Sequence, residues 1–118
     1  MININVSESF AFDFLSIYEV KMHKKPSAEA ITNFSECRDF ICNQLGGELY
    51  CSIVNSDEYM NLYESNERLF ELVELAKDDK VKASEVDRGV IDRWNKKKAL
   101  QDKFFPESKL NEQKFNKY

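Results

Sequence analysis

The sequence predicts an all-α protein: a four-helix bundle built from two antiparallel helical hairpins. Three observations carry that expectation. The chain has 118 residues with only three Gly and two Pro, too few for the turn-dense pattern of a sandwich or barrel. It is 42% hydrophobic, including nine Phe and five Tyr, so it has the material for a core. Its apolar residues recur at steps of three and four over four long segments, each opened by a capping residue.

The first six residues alternate Ile2, Ile4 and Val6 with Met1, Asn3 and Asn5, a period-two pattern that suits a short extended arm. Ser7 or Ser9 then caps a helix running to about Lys24. At 100° per residue, Phe10, Ala11, Phe14, Leu15, Ile17, Tyr18 and Met22 gather on one side, the expected core stripe. Ser9, Asp13, Ser16 and His23 fall opposite, on the expected solvent face. Pro26 ends this helix and Ser27 caps the next, along which Ile31, Phe34, Cys37, Ile41 and Leu45 form a stripe up to the Gly46-Gly47 stop. So short a connection predicts an antiparallel hairpin.

Residues 48–55 fit a helical face through Leu49, Tyr50, Ile53 and Val54. Their β-branched and aromatic content leaves a strand as the alternative, in which 49–54 would pair with the N-terminal β-arm. Ser56 caps a helix with Asp57 and Glu58 in its first turn and a stripe through Tyr59, Leu62, Tyr63, Leu69, Phe70 and Val73. A second hairpin follows. Ser84 with Asp87 resembles a capping box, the stripe runs Val86, Val90, Trp94, Leu100, Phe104, and Pro106 stops the helix. Residues 1–106 therefore read as one helical domain. Residues 107–118, with few apolar anchors, read as a tail that frays.

The charge pattern narrows the function. Net charge is −4, which argues against a strongly basic nucleic-acid protein. Residues 84–105 carry six bases among four acids, whereas 57–79 carry eight acids and two bases. Two such helices attract each other, so the basic helix is expected to be neutralised internally rather than to track phosphates. One His, His23, gives little for acid–base or triad chemistry. Three Cys without a CxxC step, and no Glu-x-x-His pair, give no metal set. The expectation is a chain without cofactor or metal, with reduced thiols in a cytoplasmic setting, no secretory signal and no membrane span.

Two groups of residues stand out as candidates. Asn66 lies in the apolar stripe of its helix, and Asp87, Arg93, Lys97 and Gln101 lie on or beside the stripe of the next. A buried polar group without a partner costs about 1–3 kcal/mol, so Asn66 should meet Arg93 or Lys97, either as a register-fixing pair or as the lining of a pocket. Phe12 and Val20 on the first helix, and Met60 and Leu75 on the third, project from polar sides and are the candidate interface. These observations suggest a non-enzymatic interaction module that binds a protein partner or itself. A nucleic-acid-associated protein using residues 84–105, or a small-ligand binder around Asn66 and Arg93, are the alternatives.

Overall fold

The computed structural model describes residues 2 and 4–108. Among them the chain is all-helical, without a strand: α1 (Glu8–Lys24), α2 (Ala28–Leu45), α3 (Gly47–Val54), α4 (Asp57–Lys77) and α5 (Ala83–Phe104). The expected frayed tail falls, from residue 109 onward, outside the described residues.

The local signals that start and stop these helices are simple. Lys25 leaves the helical conformation ahead of Pro26, which disfavours a helical residue before it, and α1 ends there. The Ser27 hydroxyl accepts the Ala30 amide at 3.0 Å and opens α2. Gly46, at φ 88°, is the one residue between α2 and α3; it takes a backbone conformation that side chains resist. Ser56 closes α3 and opens α4 with one hydroxyl, donating to the Ile53 carbonyl at 2.5 Å and accepting the Tyr59 amide at 3.2 Å. Asp79, at φ 55°, turns the chain out of α4 while the Lys80 amide reaches back to the Leu75 carbonyl.

Three expectations are corrected. The described residues hold five helices rather than four, because the helical face expected over 48–55 forms a separate helix, with Ile53 buried in the core and Tyr50 and Val54 packed against it; the alternative β-arm therefore has no strand among these residues to pair with. The last helix starts at Ala83 with Lys82 at its N-cap, one turn-closing bond from the Glu85 amide to the Lys82 carbonyl replacing the Ser84 cap. The third correction is the largest. Phe12 and Val20 are 0% and 1% exposed, together with Ser9, Asp13 and Ser16, whereas Phe14 is 47% exposed. Of the expected core stripe Leu15 is buried and Ala11 packs on the core but Phe14 looks outward, and of the expected solvent face Ser9, Asp13 and Ser16 look inward while His23 stays exposed.

Packing explains the reversal. α1 lies against α2, α4 and α5, so most of its circumference is in contact with protein. Phe12 and Leu15 enter a core completed by Ile41 of α2, Ile53 of α3, Tyr59 and Leu62 of α4 and Leu100 of α5. α4 and α5 run antiparallel, as the pairs Lys103–Glu58 and Ser65–Asp92, both at 2.7 Å, show. Gly89 lets them approach: a Cβ there would sit 3.0 Å from a Leu69 methyl. α1 also runs opposite to α5, with Ser9 near Gln101 and Asp13 near Lys97.

Candidate functional site

The polar interior of the bundle starts from spacing. On α5, Arg93, Lys97 and Gln101 are four residues apart and share one face. On α1, Ser9, Asp13 and Ser16 do the same at steps of four and three. The two faces meet. Asp13 is the centre: its Oδ1 accepts Asn66 Nδ2 at 3.0 Å, and its Oδ2 lies 3.8 Å from Lys97 Nζ and 3.9 Å from Arg93 Nε. Asn66 Nδ2 also donates to Ser16 Oγ at 2.6 Å, and that hydroxyl donates to the Asp13 carbonyl at 2.8 Å. One turn toward the other end, Gln101 Oε1 accepts the Ser9 amide at 2.8 Å while its Nε2 donates to Glu8 at 2.9 Å.

Two cations, Arg93 and Lys97, face the Asp13 carboxylate. The Lys97 ammonium also lies over an aromatic ring, with Nζ 4.9 Å from the centroid of Phe10. Arg93 Nε is buried and makes no hydrogen bond to a described residue, so its hold on Asp13 is through charge alone. The arrangement resembles a structural lock more than a reaction centre: Asn66, Ser16 and Gln101 are satisfied by fixed protein partners. The adjoining groove, lined by Asn66, Arg93, Ile17, Lys21, Phe70 and Val73 among others, has about 170 Å³. That is below the ~300 Å³ typical of small-molecule sites.

Of the polar candidates, Asn66, Arg93, Lys97 and Gln101 come together at the α1–α4–α5 junction. Asn66 meets Asp13 and Ser16 of α1 rather than the α5 cations, which reach the same carboxylate from the other side. Asp87 is exposed and stays apart from the cluster. Phe12 and Val20 are core residues, not surface ones: the Phe12 ring packs with Tyr50 of α3 and Tyr59 of α4, and Val20 lies with Leu69 of α4 at the α1–α4 groove. Met60 and Leu75 are 51% and 39% exposed. Sequence reasoning missed Asp13, Ser16, Ser9 and Glu8, although three of the four repeat with the period of a single helical face.

Turning α1 over leaves a second feature on its outer side. Phe10, Phe14 and Tyr18 follow one another at four-residue steps, with ring centroids 5.2 and 6.4 Å apart. Phe14 is the most exposed of the three, and Ile17 and Lys21 continue the face toward Phe70 and Val73 of α4. The three carboxylates of α1 are all engaged inward: Glu8 with Gln101, Asp13 with Asn66, Glu19 with the Tyr59 hydroxyl at 2.8 Å.

Nucleophile and metal chemistry find little support in the remaining side chains. Burial pushes the Cys37 thiol up to about 11, the reverse of an activated thiolate. His23 Nδ1 shares a hydrogen bond with the Tyr63 hydroxyl at 2.8 Å. No cluster of three His, Cys, Asp or Glu able to hold a metal occurs among the described residues. No described helix is long and apolar enough to cross a membrane. The cations of α5 are largely occupied within the molecule, Lys96 with Asp92, Lys98 with Asp102 and Lys103 with Glu58. No family model, curated protein or solved structure matches the chain.

Proposed function

We propose that this protein is a non-enzymatic helical interaction module that works through the outward face of α1. The observation that carries the reading is the inversion of that helix. Ser9, Asp13 and Ser16 are engaged in a fixed interior lock, and the aromatic ladder Phe10–Phe14–Tyr18 lies on the outer side, with Phe14 exposed and the other two half-buried. Apolar side chains spaced along one helix are the usual anchors of helix-mediated recognition, and aromatic ones contribute most per residue. The occupant is a protein, either a partner or a second copy of this chain. The odd number of cysteines favours a reducing, cytoplasmic setting.

The reading is tested by placing a photo-crosslinking phenylalanine analogue at position 14 in the native host, with position 87 as an exposed control. A discrete protein adduct formed from position 14 and not from 87 is expected. Equal, diffuse labelling from both positions would remove α1 as the working surface.

A further inference from the structure

We infer that the N-terminal arm pairs with the same arm of a second copy of this chain, as an antiparallel two-stranded ribbon with Ile4 of each copy opposite Ile4 of the other. The inference goes beyond the α1 reading and uses a different surface. It starts from where the backbone hydrogen bonds go. Residues 4–7 run into α1 without helix, turn or bend, and Ser7 is extended at φ −63° and ψ 151°. The backbone groups of Ile2, Ile4, Asn5 and Val6 bond to no described residue. The one stretch the sequence offered as their partner, 49–54, is helical. Ile2, Ile4 and Val6 are 90%, 75% and 41% exposed. An extended, alternating segment with open backbone groups is a template for another strand.

The pattern selects the occupant. With Ile4 on Ile4, antiparallel pairing brings Ile2 of each copy against Val6 of the other, so the apolar side chains meet on one face and Asn5 falls on the other. A symmetric contact between two copies has to be self-complementary in this way. Charge selects the direction. A parallel pairing would set the two Glu8 carboxylates, and two chains of net charge −4, side by side. The antiparallel one holds the two Glu8 residues on the order of 25 Å apart. A two-stranded ribbon also needs a surface to lie on. Val6, Phe12, Phe40, Ile41 and Leu45 help to wall a groove of about 300 Å³ between the arm, α1 and the end of α2, and Phe40 is 66% exposed. Ile2 of the second copy, opposite Val6, comes to this groove. Glu8 is the one charged residue in its wall, and its carboxylate accepts from Gln101. The nearest acids outside it belong to the helices: Glu36 one turn before Phe40, Asp39 paired with Arg38, and Glu48 at the start of α3.

Sedimentation equilibrium of the full chain tests this. The wild type should be a dimer at tens of micromolar. Ile4→Asp should weaken that dimer by at least about tenfold, because it places a charge on each side of the ribbon. Its thermal midpoint at dilutions where both proteins are monomers should equal that of the wild type, since position 4 is exposed. Cysteine pairing reads the register, because residues opposite each other in a ribbon lie within disulfide reach. On mild oxidation Ile4→Cys should link to itself, and in a mixture Ile2→Cys should link to Val6→Cys in preference to itself, each bridge located by mass spectrometry. A wild-type monomer, or a dimer that survives Ile4→Asp, would overturn the inference. So would a dimer broken by Phe14→Ser alone, which would move the contact to the face of α1, or preferential Ile2→Cys self-linkage, which would make the arms parallel.

Discussion

Asn66 of α4 donates to the carboxylate of Asp13 on α1 at 3.0 Å, across 53 residues of chain, and both side chains are buried. The bond joins the two halves of the molecule at a point where Arg93 and Lys97 also converge. Asp13 of α1 thus faces groups from two other helices, the amide of α4 and the cations of α5.

Removing the two partners should therefore cost unequally. Asn66→Ala strands one hydrogen-bonding site and is expected to lower stability by about 1–3 kcal/mol. Asp13→Ala removes the carboxylate that buried Lys97 and half-buried Arg93 both face, as well as the acceptor of Asn66, and should cost more than Asn66→Ala. Urea unfolding of the two variants and of their double mutant measures both values and their coupling. An Asp13→Ala protein more stable than Asn66→Ala would mean the carboxylate is not the centre of the lock.

The inversion of α1 predicts opposite outcomes for two neighbouring aromatics. Phe12→Ala should lose about 3–5 kcal/mol, the cost of emptying a fully buried ring. Phe14→Ala, at a half-exposed site, should change stability by less than about 1 kcal/mol. Thermal melts read the difference. Equal losses would put Phe14 in the core as well.

Tyr59 gives the chain a dependence on alkaline pH. Burial first, then the adjacent Glu19 carboxylate that accepts its hydroxyl, raises its pKa well above the ordinary phenol value. The folded form thus keeps a proton that the unfolded form releases near pH 10. The stabilisation is complete below that pH and is lost above it, by about 1.4 kcal/mol per pH unit for one such group. Tyr59→Phe should cost about 1 kcal/mol at neutral pH and flatten the decline above pH 10. A decline of unchanged slope would assign it to other groups, of which Tyr50, pushed up to about 12 by burial, is the first candidate.

Gly89 should tolerate little. With a Leu69 methyl 3.0 Å from where its Cβ would stand, Gly89→Val forces α4 and α5 apart and is expected to cost about 1–3 kcal/mol despite the helix-weakening nature of glycine. A urea midpoint equal to that of the wild type would show that Leu69 and Leu72 have room to move.

Element existence was legible because it is local. Ser27 and Ser56 as caps, Pro26 and Gly46 as stops, and the stripe through Tyr59, Leu62 and Leu69 each act within a few residues. Asn66 was legible too, since a lone amide inside an apolar stripe has to be satisfied somewhere. The phase of α1 was not. Apolar residues surround that helix, so its periodicity defines no single inner face, and Ser9, Asp13 and Ser16 repeat as well for solvent as for buried partners. The partners decide, and they lie far along the chain, Gln101 being 92 residues from Ser9. Asp87 sits beside the same stripe as Arg93, yet nothing on α1 or α4 reaches it.

The four-residue spacing of Arg93, Lys97 and Gln101 has a consequence for folding fidelity. A ladder of near-equivalent polar rungs looks much the same after a slip of one helical turn, when Lys97 and Gln101 would stand where Arg93 and Lys97 stand now. Polar contacts alone are therefore a ruler with repeating marks. Gly89 supplies the single mark that does not repeat: α4 and α5 can come this close at that residue, four positions before the first rung, and the Asn66–Asp13 bond then carries the setting over to α1. A side chain at position 89 would erase the zero of that ruler and open the way to molecules assembled one turn out of step.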